Sequence, residues 1–176
     1  MAVKFREDDF LYPLMVALTG CLCDEIARSG LPEPCQCSVL PGAEAVLDYC
    51  GDCDAGGCGG QAWVRLAGAY PSSAFPTIDE GVVPCDSPMA YLVEIGIARC
   101  VSVGDASGIN GFTPPSVAEQ VDAVRVQTAD MSAMRRALTC CLTETYEDLT
   151  YTLGQYVPIA GGGCNGGTWT VTIWSA

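Results

Sequence analysis

Near the start of the chain, apolar residues recur at intervals of three and four. Leu11, Leu14, Met15, Leu18, Leu22 and Ile26 fall on one face of a helix predicted over about Asp9 to Ser29. Asp8 or Asp9 is expected to cap it, and Pro13 is tolerable only in its opening turns. Gly30, Pro32 and Pro34 end it. The period then shortens. Cys35 to Leu40 reads as a short strand closed by Pro41-Gly42, followed by a second short piece at Ala45 to Tyr49. The run from Gly51 to Gly60 is too glycine-rich for regular structure. Gln61 to Tyr70 is predicted as a strand with Trp63 and Arg65 on one side and Val64 and Leu66 on the other.

A loop from Pro71 to Pro88 carries four prolines (Pro71, Pro76, Pro84 and Pro88) and precedes the longest predicted strand, Met89 to Val103. There Tyr91, Val93, Ile95 and Ile97 alternate with Leu92, Glu94, Gly96 and Ala98. Gly104 to Pro115 forms another loop, and Ser116-Val-Ala-Glu119 is a capping box that opens a second helix. This helix should run to about Thr143, burying a stripe of Val117, Val121, Val124, Met131, Met134, Leu138 and Cys141. Thr168 to Trp174 alternates almost perfectly, so Trp169, Val171 and Ile173 should face the helices. The predicted order is α-β-β-β-(β)-α-β in one domain spanning 1–176, an α+β fold. Its two helices pack on one face of a small, mainly antiparallel sheet. No repeat is visible.

Composition narrows the function classes. The chain has 176 residues, 49% hydrophobic and 16% charged, which excludes intrinsic disorder and allows a packed core. It holds 21 Asp plus Glu against 8 Lys plus Arg, a formal charge of −13. Tight nucleic-acid binding needs clustered cations, and docking on an anionic membrane needs them too, so neither is expected. There is no histidine, which removes the Ser-His-Asp and Cys-His nucleophile arrangements. No carboxylate pair is singled out among the acids, no phosphate-binding loop carries its lysine, and no cofactor fingerprint can be named, so a non-enzymatic role is expected, with no cofactor. The first residues lack the order of a signal peptide, and no apolar stretch is long enough to span a bilayer. A soluble protein made in the cytoplasm is the expectation.

The 12 cysteines leave several chemistries open. Cys50-Gly-Asp-Cys53 followed by Cys58 resembles half a zinc knuckle, which Cys35 and Cys37 could complete with thiolates alone. Free Cys also packs well as a small buried hydrophobe, which suits Cys21, Cys100, Cys140 and Cys141. One or more disulfides are a further reading, with a connectivity that spacing does not reveal. A redox role for Cys50 and Cys53 is disfavoured, because that motif normally opens a helix and glycines surround this one. Arg65 and Arg99, on strands, are candidates for salt bridges between subunits, and Phe75, Ile109 and Phe112 are candidate contacts in the two long loops.

Several strings carry a resemblance to small virion proteins of tailed (siphovirus-type) actinobacteriophages. They include Cys21-Leu-Cys23, Pro34-Cys-Gln-Cys37, Pro41-Gly-Ala-Glu44, Cys58-Gly-Gly-Gln-Ala-Trp-Val-Arg65 and Tyr70-Pro-Ser-Ser73. Glu94-Ile-Gly-Ile-Ala-Arg-Cys100, Asp130-Met-Ser-Ala-Met-Arg-Arg-Ala-Leu138 and Gly163-Cys-Asn-Gly-Gly-Thr-Trp169 extend it over nearly the whole chain. The element order is similar to that of the tail-terminator family, whose helices pack on a small sheet and whose six copies close a ring. The resemblance implies a structural protein of the neck that caps the tail tube and meets the head–tail connector or stopper protein. Double-stranded DNA would pass through the ring without specific binding, repelled by an acidic bore over a Debye length of about 8 Å. A head-completion stopper or head–tail adaptor is the neighbouring reading, although those lean towards small barrels and helical bundles. A zinc- or disulfide-stabilised binding module is the more distant one.

Overall fold

A computed structural model describes residues 9–42, 45, 60–101, 114–161 and 163–175. The first helix, α1 (Leu11–Arg28), buries the expected face: Leu14, Leu18, Leu22 and Ile26 are wholly inaccessible. Its N-cap is Phe10, with no side-chain cap, so the aspartate cap expected at Asp9 is not formed, and Asp8 lies outside the described residues. Pro13 occupies the first turn, where its missing N–H would be unsatisfied in any residue. Gly30, at φ 69°, takes the left-handed conformation that ends the helix.

Four further elements follow the sequence reading closely: β1 (Gln36–Val39), β2 (Gln61–Pro71), β3 (Met89–Cys100) and α2 (Val117–Arg136). Ser116 caps α2 with the full reciprocal capping box, its side chain accepting from the Glu119 N–H. A π-helical segment (Ala137–Cys141) and a last turn, α3 (Leu142–Thr145), continue the same rod. The chain closes with a hairpin of β4 (Tyr151–Gly161) and β5 (Cys164–Ser175).

The sheet has five strands in the order β1-β2-β3-β5-β4. β1 runs parallel to β2 and every other pair is antiparallel. This is the expected α+β fold, with three strands ahead of α2 among the described residues and two after it, where one is predicted. β4 escapes pattern analysis because Gly154 and Pro158 interrupt it and its register shifts between Leu153 and Tyr156, which destroys a strict period of two. The piece predicted at Ala45 to Tyr49 lies, Ala45 apart, outside the described residues.

Both helices cover one face of the sheet. Val64, Val93, Ile95, Ile97, Val171 and Ile173 rise from the strands into the helix layer and are fully buried there. Trp169 packs partly buried against the same cluster. On the opposite face Trp63 lies across Gly96, its direct partner in the register, and a Cβ on Gly96 would clash with the indole at 2.2 Å. Only glycine leaves room for that ring.

One expectation fails in an instructive way. Val117, Val121 and Val124 were predicted to be buried, yet they are 77%, 44% and 56% exposed. The residues of α2 that turn inward are Asp130, Ala133 and Met134, followed by Ala137 and Leu138 in the π segment. The apolar period of the first turns therefore marks a surface strip, rotated away from the core-facing side.

Candidate functional site

Three arginines organise the polar interior. Arg65 and Glu94 stand directly opposite each other on β2 and β3, and the guanidinium grips both carboxylate oxygens at 2.7 and 2.9 Å. The Trp63 indole N–H donates to the same carboxylate at 3.1 Å. Arg99, on the helix side of β3, holds Asp130 of α2 through bonds of 2.6 and 2.8 Å and donates to the Pro32 carbonyl. The two side chains are only 6% and 2% exposed, so this pair fastens the sheet, α2 and the segment after α1 within the interior. Burial is the largest influence on Asp130 and pushes its carboxyl above the ordinary value, while the guanidinium pulls the other way. Both Arg65 and Arg99, candidates for bridges between subunits, are thus bound within their own chain.

The third cluster ties the helices to each other. Glu25 of α1 accepts from Arg136 of α2 at 2.5 Å and from Arg28 at 2.6 Å. The bond from Arg136 is the largest of the effects holding the Glu25 carboxyl below its ordinary value, and Arg28 adds to it against the opposing effect of burial. A group whose folded pKa is depressed stabilises the fold above its unfolded value of 4.5, and that contribution is lost as pH falls through the lowered value. Thermal unfolding of Glu25→Gln should accordingly lose stability less steeply than the wild type on acidification below about pH 4. Parallel pH profiles for the two proteins would contradict this.

The Pro71 to Pro88 loop is built against the end of the sheet. Ser72 is wholly buried, donates its hydroxyl to the Thr77 carbonyl and accepts from the Trp174 indole at 2.8 Å. Phe75 rests half-buried on Trp174, with ring centroids 6.4 Å apart, so the loop candidate Phe75 has a partner inside the chain. Ile109 and Phe112 lie outside the described residues.

The cysteines resolve largely towards disulfides. Cys21 bridges to Cys141 and Cys23 to Cys37, and Cys35, Cys100 and Cys164 are bonded too. This corrects the zinc reading where it can be checked, because Cys35 and Cys37 offer no thiolate, and Cys50, Cys53 and Cys58 lie outside the described residues. Cys140, expected to be buried, is exposed with a free thiol, as is Cys85. Among the described residues no group of three metal-ligating side chains gathers.

What pattern reading missed is a surface property. Two apolar strips stand on the outside of the helix layer: Val117, Val121 and Val124 on α2, and Tyr12 with Val16 on α1, 60% and 47% exposed. The second borders a groove lined by Met15, Val39, Leu40 and Leu66. Asp130 is legible in principle, since an acid at a core-facing helix position must find a buried cation. Among the described residues no helix is long and apolar enough to cross a membrane. No protein-family model matches the chain, and a search of curated proteins returned no match.

Proposed function

We propose that this chain is a non-enzymatic structural subunit of a virion neck, a tail terminator whose six copies close a ring on the tail tube. In that role it stops tube polymerisation and presents a surface to the head–tail connector or stopper protein. The observation that carries the reading is the architecture, two helices on one face of a small sheet with a capped helix ahead of the closing strands. That is the arrangement the resemblance to tail terminators implies, and it differs from the small barrels and helical bundles of the neighbouring neck proteins. The charge of −13 supports it as well, since a collar around double-stranded DNA must let phosphate slide. The virion is then its place, after assembly in the host cytoplasm.

Particles lacking the protein test the proposal directly. Tails of irregular length, detached from filled heads, are the expected result. Uniform tails joined to heads would overturn it. A second reading, a disulfide-stabilised binding module, is favoured by the Cys21–Cys141 and Cys23–Cys37 bridges. A one-protomer mass in both the absence and the presence of tail-tube protein would support that module against the ring.

A further inference from the structure

A slot runs beneath the first half of α2. Glu119, Ala123, Val126, Gln127 and Asp130 follow at helical steps and share one face of α2. That face borders two adjoining cavities of about 320 and 270 Å³, which have Val101, Glu119, Ala123 and Asn165 in common. Pockets that take small molecules begin at about 300 Å³. At about 1.5 Å per residue, the slot extends roughly 16 Å from Glu119 to Asp130.

Its lining divides by chemistry. Pro32, Val101, Ala123, Val126 and the disulfide-bonded Cys100 supply apolar walls. The floor at one end is the Arg99–Asp130 pair, buried to 6% and 2% exposure. Among the charged side chains of the lining, Glu119, Asp122 and Asp130 are carboxylates and Arg99 alone is a cation. Asp122 also meets Arg125 at 3.4 Å, a contact too open to water to cancel its charge.

Asn165 is an independent sign. It stands directly opposite Arg99 in the β3–β5 register and borders both cavities, half-buried. The neighbouring Gln127 amide donates to the Gly166 carbonyl at 2.6 Å, whereas among the described residues the Asn165 amide has no hydrogen-bond partner. Its carbonyl oxygen is an acceptor open to a bound donor.

The lining selects the ligand. Its carboxylates repel anions, and Glu119 and Asp130 lie too far apart to converge on one metal ion. A cationic nitrogen on an aliphatic stem suits both parts, the nitrogen meeting carboxylate and amide oxygens and the stem the apolar walls. We infer that this slot binds an alkylammonium group, carried by a free aliphatic amine or by a lysine side chain of another protein. The inference does not depend on the ring reading.

Titration of the full chain with n-butylammonium, followed by amide NMR, tests it. Saturable shifts should gather at Ala123, Val126 and Asn165. Without a charge-assisted bond, n-butanol and butyrate should need at least about tenfold more ligand for the same response. Ala123→Trp fills the slot and should abolish the shifts at Val126 and Asn165. Asn165→Leu keeps the bulk, removes the amide and should weaken binding about fivefold. Both variants should keep the wild-type circular dichroism, and if one loses its fold the other is read alone. A capped Gly-Lys-Gly peptide separates the sources: binding as tight as butylammonium identifies a protein lysine, and exclusion of the peptide identifies a free amine. No saturable shift with either probe, equal shifts from n-butanol, shifts spread over the acidic surface, or binding undiminished in the folded variants would overturn the inference.

Discussion

Asp130→Ala is expected to cost about 3–5 kcal/mol of folding stability, read from urea unfolding, because it removes the carboxylate that balances the Arg99 guanidinium in the interior. Arg99 makes two bonds to Asp130 and one to the Pro32 carbonyl, so truncation at Asp130 leaves a buried cation with a single neutral acceptor from those contacts. Replacing both members, Arg99→Met with Asp130→Leu, should recover much of the loss, since a well-packed apolar pair needs no charge compensation. A single variant within about 0.5 kcal/mol of wild type would mean that water reaches the pair.

Reduction should have an effect of similar size. The Cys21–Cys141 bridge closes a loop with a sequence separation of 120, and Cys23–Cys37 closes one of 14. Loop-closure entropy grows slowly with length, and for the longer loop it corresponds to about 4–5 kcal/mol, with measured values for such bridges more often about 2–5. Cys21→Ala with Cys141→Ala should therefore unfold at distinctly lower urea than the wild type under oxidising conditions. The difference should shrink when both are fully reduced. Because the bridge joins α1 to the π segment, the loosened part should be the helix layer, with the central strands retaining their amide protection. Identical midpoints with and without reductant would contradict this account.

Much of the architecture was legible because it follows from periodicity. The α1 stripe, the alternation along β3 and β5 and the Ser116 capping box all depend on residues within a few positions of each other, and each is found where predicted. β4 was not legible, since Gly154, Pro158 and a register shift remove the alternation, and only pairing with β5 makes it a strand. The orientation of α2 could not be read either. Val117, Val121 and Val124 repeat like a core stripe, and only the docking of Asp130, Met134 and Leu138 on the sheet shows which side faces inward. The same ambiguity hid the surface strip. The pairing of Arg65 with Glu94 and Arg99 with Asp130 likewise depends on register and helix placement, which sequence spacing does not contain.

The anchoring of Trp174 makes the chain its own optical reporter. Its indole is bonded to Ser72 and flanked by Phe75 of the proline-rich loop, whereas Trp63 is sealed on the far face of the sheet. Fluorescence from a protein retaining only Trp174 would register lifting of that loop, by a partner or by proteolysis. One retaining only Trp63 would stay silent until the sheet itself came apart.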